Sequence, residues 1–269
     1  MTTTKERLRL LEGARVYDLG QPMENGMPQS PNHPAFRLAL TRRHGDMVRA
    51  DGSSAAAEII VTGGHVGTHI DALAHVSFQG QLHGGIDAAQ AQTGGRFRQL
   101  GVDTIAPIAC RGVLLDVAAT KGRDVLDAGY AVTAADLDAA ARRAGVRLQP
   151  GDAVLVRTGW GSVFGDRAAF VGHDAGVPGP NEEAARWLVS GGAEIVGSDT
   201  IAFEEIPPGA GHSLLPVHRF LLFERGVHIV ETLNLEELGR AGVSEFLFFA
   251  SPLRIVGGTG SPIRPVAIV

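Results

Sequence analysis

The run Gly63-Gly64-His65-Val66-Gly67-Thr68-His69-Ile70-Asp71-Ala72-Leu73-Ala74-His75 decides how this chain is read. It places three imidazoles and one carboxylate within the eleven residues from His65 to His75. Neutral imidazole with ionised carboxylate is a ligand set for a borderline divalent cation such as Zn²⁺ or Mn²⁺. Gly63, Gly64 and Gly67 weigh against a continuous helix, because glycine weakens helix interiors and permits tight turns. The spacing predicts a strand-to-loop turn folded around an ion. It does not fit the helical zinc proteases, whose two histidines flank a glutamate on one helix face. An isolated histidine is most often a surface or core-edge residue. Here four of the ten histidines (His65, His69, His75 and His83) fall within nineteen residues, beside Asp71. That clustering is what marks a metal site.

Composition narrows the class. The 269 residues are 44% hydrophobic, ample for a core, and the whole chain, 1–269, reads as one domain. With a net charge of −5, nothing suggests a nucleic-acid footprint, which would need a basic face. No apolar run is long enough to span a bilayer, and the polar N-terminus lacks the apolar stretch of a secretory leader. Cys110 is the single cysteine, so no intrachain disulfide can form. A cytoplasmic protein is expected. Cys110 itself reads as a small buried apolar residue.

Runs rich in Val, Ile and Leu, bounded by Gly, Pro or Asp, predict strands over 15–19, 36–41, 57–62, 112–117, 152–157, 194–198, 227–233, 246–256 and 263–269. Helices are fewer. Thr133 can cap one running to Ala144, with Gly145 as its stop. Asn181 can cap a second, with Glu182 and Glu183 in its first turn. Pro216 suits the start of a third, Val217 to Glu224, and a short fourth covers 235–240. Many strands with interspersed helices give a mixed α/β domain.

Three ligands on one loop leave positions open for water or a second metal. Near the C-terminus, His218 lies in the third helix and Glu231 in the strand that follows. Alternation points Glu231 with Ile229 and Val227, and His228 with Val230, so only one of Glu231 and His228 can face a shared site. The alternative for Glu231 is a charge on the solvent face of that strand.

The His65–His75 run resembles the His-x-Gly-Thr-His-x-Asp-x-Pro-x-His signature of the cyclase-like metal-dependent hydrolases, the family that includes bacterial kynurenine formamidase and isatin hydrolase. The resemblance extends through Tyr17-Asp18-Leu19, Arg157-Thr158-Gly159-Trp160 and Pro178 to Leu188. It continues through Val217 to Leu222, Val230-Glu231-Thr232-Leu233 and Gly260 to Arg264. Leu73 stands where the family has proline; every ligand position is kept, and subfamily and substrate are what the change touches.

The resemblance implies a swivelling β/β/α-type mixed sheet surrounded by helices. It implies that His65, His69 and Asp71 hold one metal, and that Asp71 bridges to a second held by His218 and Glu231. His75 matches the family's acid/base histidine. One or two Mn²⁺ or Zn²⁺ per subunit, and a homodimer or homotetramer, are the corresponding expectations. His83 is a candidate pocket residue, with a structural loop role as the equal alternative, and His212, just before the His218 helix, is a candidate for the pocket or for support behind the ligands. Phe36 and Trp160 are candidates for an aromatic wall, with ordinary core packing as the alternative. His33, His44 and His173 read as surface residues.

The function expected is a metal-dependent amidohydrolase. A divalent cation lowers the pKa of water towards about 7 and polarises a carbonyl. The substrate is a small cyclic amide or an N-formyl or N-acyl amine. A lactone hydrolase, dehydratase or cyclase on the same metal is the alternative within enzymes. A non-catalytic metal-binding protein is the alternative outside them, and His75, beyond the ligand count, argues against it. No Gly-x-Ser-x-Gly elbow is present.

Overall fold

The most apolar runs of the chain form the middle of one nine-stranded sheet. In the computed structural model, which describes residues 11–269, its strands are β1 (Val16–Asp18), β2 (His69–Asp71), β3 (Ile108–Asp116), β4 (Asp152–Arg157), β5 (Ala193–Ser198), β6 (His228–Glu231), β7 (Glu245–Ala250), β8 (Gly260–Pro262) and β9 (Val266–Ile268). Their order across the sheet is β1-β9-β7-β3-β4-β5-β6-β2-β8. The run β3-β4-β5-β6 is parallel, and the pairs outside it are antiparallel.

Parallel strands need both faces covered, which is why their sequences are apolar without alternation. One face, carrying Val113, Leu115, Val154, Val156 and Val196, packs under α1 (Ala134–Ala144), α2 (Glu182–Ser190) and α3 (Pro216–His218). The last continues as a π-helical stretch, Arg219–Arg225. The other face, with Leu114, Ala153, Leu155 and Ile195, packs under α4 (Glu236–Arg240) and against Phe246 and Phe248. The expected mixed α/β sheet with surrounding helices is the fold found.

The helix caps follow the sequence. Thr133 and Asp136 form a reciprocal capping box, and Gly145 ends α1 in the left-handed region. The Asn181 side chain accepts from the Ala184 N–H at the start of α2. Strand ends differ. The run expected to reach residue 256 pairs only to Ala250, because Pro252, two residues on, has no N–H for the ladder. The strand expected from 112 starts at Ile108.

Outside the sheet, Arg37–Arg42 and Ala57–Val61 form an antiparallel hairpin. Its Leu38, Leu40, Ile59, Ile60 and Val61 are all exposed, and its second strand leads directly into Gly63-Gly64-His65. No helix of the described residues is long and apolar enough to cross a membrane.

Candidate metal centre

Strand β2 is three residues long and lies between β6 and β8. His69 is opposite Glu231, and Asp71 is opposite Gly260. Successive strand residues face opposite ways, so His69, Asp71 and Glu231 share one face while Ile70 is buried on the other. The backbone turns at Gly67 with φ of +70°, which brings His65 back over Asp71. Gly260 is glycine for a steric reason: a Cβ there would lie 2.5 Å from Cε1 of His65. From the helical side, α3 supplies His218.

His65 Nδ1 lies 2.6 Å from Asp71 Oδ1, and His69 Nε2 lies 3.3 Å from Glu231 Oε2. His218 Nε2 is 2.9 Å from Glu231 Oε1 and 3.8 Å from Asp71 Oδ2. Two ligand groups result, His65/His69/Asp71 and Asp71/His218/Glu231, each with its donor atoms within 4.8 Å of one another. All five residues are buried. Alternation left open which of Glu231 and His228 faces this site. It is Glu231, while His228 Nδ1 bonds the Asp71 carbonyl oxygen.

The electrostatics fit a cation. Burial alone pushes Asp71 up, but the imidazoles of His75, His65 and His69 outweigh it and hold the carboxyl well below its ordinary range. Glu231 is likewise brought down to about 2, burial being outweighed chiefly by His218. Conversely, Glu231 and Glu204 overcome burial and raise His218 well above its ordinary value. In this arrangement protons on imidazole stand where a metal would supply positive charge. Asp71 Oδ2 is also buried with no hydrogen-bond partner among the described residues. A buried, unpaired carboxylate oxygen is costly unless something positive binds it. The residues present therefore fit one or two divalent cations.

The candidate ligands are themselves held. Glu204, buried in an apolar segment, accepts from His218 Nδ1 at 2.7 Å and from the N–H groups of His218 and Val217 at 2.8 and 3.0 Å. This fixes the ring so that Nε2 faces the candidate site, an arrangement of the kind that supports histidines at metal sites. The Phe203 N–H donates to Glu231 Oε1 at 2.8 Å, and His69 Nδ1 bonds the Gly67 carbonyl oxygen at 2.8 Å. His65 Nε2 pairs with Thr259 Oγ1 at 2.9 Å. Next to Glu231, Thr232 adopts φ of +56°, rare for a β-branched residue. Its carbonyl accepts from the Thr68 hydroxyl at 2.6 Å, tying the ligand loop to β6.

His75 is in neither ligand group. Its ring stacks on that of His65 with centroids 3.8 Å apart, and burial pushes its pKa down to about 4. It is therefore a neutral base at pH 7, one ring away from the ligands.

Other candidates separate clearly. His212 lines the cavity with the ligands and with His75. His83 does not; its Nδ1 bonds the Phe223 carbonyl oxygen at 2.8 Å, bracing the π-helical stretch. Phe36 and Trp160 do not line the cavity either. They are 3% and 7% exposed in a core cluster with Met27, Phe164 and Phe170, and the Trp160 indole donates to the Phe170 carbonyl oxygen. Core packing, the alternative given for both, is what the geometry presents.

His33 corrects the surface assignment. It stacks on His65 at 5.0 Å and lies 6.2 Å from His75, at the cavity wall. Its surroundings, Pro31-Asn32-His33-Pro34, read locally as an ordinary exposed loop. His44 and His173 are exposed as expected. Sequence reasoning does not reach Glu204, although an acid flanked by Ile201-Ala202-Phe203 is a detectable signal of a buried partner.

The cavity has a volume of about 210 Å³. Its walls combine the histidines with Ser30, Asn32, Ile201 and Leu215, and no Lys or Arg lines it among the described residues.

Comparison with known proteins agrees with this geometry. The model of a family described as "Putative cyclase" matches residues 17–205. An isatin hydrolase from Roseibium aggregatum is 30% identical over 224 residues, covering 82% of this chain and 77% of the relative. A solved structure of a novel cyclase superposes with a TM-score of 0.86 at 30% identity, covering 97% of this chain and 90% of its own. A "predicted metal-dependent hydrolase" from Bacillus stearothermophilus superposes with a TM-score of 0.62 at 25% identity, covering 95% and 98%.

Proposed function

The chain belongs to the cyclase family, and on that premise we propose that it hydrolyses a C–N bond in a small cyclic amide or an N-formyl or N-acyl amine. Metal-dependent hydrolase of this family is the coarser description. The observation that carries the finer one is the neutral, buried His75 standing beside a five-residue cation site without belonging to it.

His65, His69 and Asp71 would hold one divalent cation, and Asp71, His218 and Glu231 a second. Mn²⁺ and Zn²⁺ suit this donor set equally. When bound, such a cation polarises a carbonyl and makes water acidic enough to supply a nucleophile at neutral pH. The protein's own part is orientation and proton transfer. Glu204 and the Phe203 N–H fix His218 and Glu231. His75, neutral at pH 7, takes the proton of the attacking water and returns one to the departing nitrogen. The small cavity, below the roughly 300–1,000 Å³ of sites for drug-sized ligands, restricts the substrate to a compact molecule.

Self-association belongs to the same proposal. A two-stranded ribbon is marginal in water on its own. The exposed Leu38, Leu40, Ile59, Ile60 and Val61 on the hairpin support its packing against a second copy in a homodimer or homotetramer. A monomer mass by light scattering at micromolar concentration would count against this.

The deciding experiment is a panel of formamides, cyclic imides, isatins and lactones, with metal analysis of protein purified without chelator. Turnover of amides, abolished by chelator and restored by Mn²⁺ or Zn²⁺, is expected. Turnover of lactones alone would overturn the C–N assignment and spare the metal site. Asp71→Ala should abolish metal retention; full metal content in that variant would refute the ligand assignment.

A further inference from the structure

His65 is held the opposite way round from the other two histidines of the candidate site. His69 and His218 are fixed at Nδ1, by the Gly67 carbonyl oxygen and by Glu204, so each turns Nε2 to the neighbouring carboxylates. On His65 it is Nδ1 that faces a carboxylate, 2.6 Å from Asp71 Oδ1. Its other nitrogen, Nε2, lies 2.9 Å from Thr259 Oγ1. Thr259 does not line the cavity of the candidate ligands. It lines a separate cavity with Gln92, Arg96, Phe97 and Gly258. No histidine or carboxylate of the described residues lines that second cavity, and Arg96 would repel a cation there. Only the Nδ1 side of His65 therefore offers a cation further ligands.

Strand register fixes where Thr259 stands. Gly260, the next residue, pairs with Asp71 in the β8–β2 ladder, and the Ala72 N–H donates to the Thr259 carbonyl oxygen at 2.9 Å. One ladder thus sets the groups at both nitrogens of the His65 ring. An imidazole that ligates a cation is neutral, so the ligating nitrogen carries no proton and the other nitrogen carries one. That N–H needs an acceptor, and the Thr259 hydroxyl is the one in reach. We infer that His65 serves the cation through Nδ1, and that Thr259 is the positioning residue that secures this by accepting from Nε2–H. The inference rests on the cation reading above and names the atom and the support through which His65 takes part. Thr259 does for His65 what Glu204 does for His218, from the opposite side of the ring and with a neutral group.

The test uses Zn²⁺ as the probe on the full chain, with its histidines labelled by nitrogen-15. In the zinc-loaded wild type, long-range nitrogen–proton correlations should show His65 protonated on Nε2 with Nδ1 bound. His69 and His218 should show the reverse, and the His65→Gln variant identifies the odd signal by its loss. Chelator competition then compares the wild type with Thr259→Val, which keeps the shape and removes the acceptor, and with Thr259→Ser, which keeps the hydroxyl. Thr259→Val should bind Zn²⁺ more weakly on the order of 10- to 100-fold, the cost of losing such support. Thr259→Ser should recover most of that loss. The wild-type spectrum decides the ligating atom even if Thr259→Val does not fold, and a loss of packing alone would not be rescued by serine, which also lacks the methyl group. Zinc on Nε2 of His65 would overturn the inference, as would wild-type zinc affinity in Thr259→Val. A wild type that binds no zinc at all would overturn the cation reading itself, and the inference with it.

Discussion

Glu204 is the residue on which the geometry of His218 depends, and its replacement is the sharpest test of how the site is built. Three donors converge on its carboxyl group: His218 Nδ1 at 2.7 Å and the N–H groups of His218 and Val217 at 2.8 and 3.0 Å. The two backbone donors belong to the first turn of α3, where no intrahelical acceptor exists. Glu204→Ala strands all three. Each buried orphan costs about 1–3 kcal/mol, and partial relaxation brings the sum to about 3–5 kcal/mol, the range for breaking a buried charged network. That is a large share of a total stability of roughly 5–15 kcal/mol. Glu204→Gln is the informative variant because it keeps the shape. Its amide oxygen can still accept, but its NH₂ faces a backbone donor, and His218 Nδ1 loses a charge-assisted partner. Loss of such support for a metal ligand costs about 10–100-fold in metal affinity. Chelator competition gives that affinity, and urea unfolding of the metal-free protein gives the stability. Glu204→Gln with wild-type metal affinity would show that the Glu204–His218 contact does not position the ligand, and the reasoning would fail.

Three further outcomes follow from the same geometry. His75→Asn should keep its metal and lose kcat on the order of 10²-fold or more; equal loss of metal and rate would make it a ligand instead. Gly260→Ala should displace the His65 ring, because the new Cβ would lie 2.5 Å from Cε1, and should weaken metal binding while the distant helices α1 and α2 stay folded by circular dichroism; unchanged affinity would mean the ring has room to move. The pH dependence of the metal-free protein has a definite sign. His75 and His33 titrate at about 4 when folded, lowered by burial from an ordinary 6.5. Through these two rings the unfolded chain binds more protons between those values, which outweighs the opposite contribution of Asp199, raised to about 6 by burial, so stability falls as pH drops from 6.5 towards 4. Urea midpoints across that window should show the fall, and His75→Asn should flatten it; a midpoint independent of pH there would contradict the burial of both rings.

Local chemistry determined much of this protein before any folding. The Thr133 cap, the Asn181 cap, the proline start of α3 and the apolar core strands were all legible, because each depends on residues within a few positions of one another. So was the cluster from His65 to His75, since imidazole and carboxylate at that density nominate a candidate cation site by residue type alone. The tertiary structure decided which partners meet across long separations. His69 and Asp71 lie on a strand of three residues, too short to carry a periodicity, and its existence depends on pairing with β6 and β8, more than 150 residues away. That pairing places Glu231 opposite His69, and makes residue 260 glycine so that His65 has space. Glu204 reaches His218 over fourteen positions, and Ser30 reaches His212 over 182. His33 looks like a loop residue by sequence and becomes part of the cavity wall because the chain folds over His65. Residue types in sequence specify what chemistry is possible, but the contact of one side chain with another far along the chain is set by sheet register and loop packing, which have no local signature.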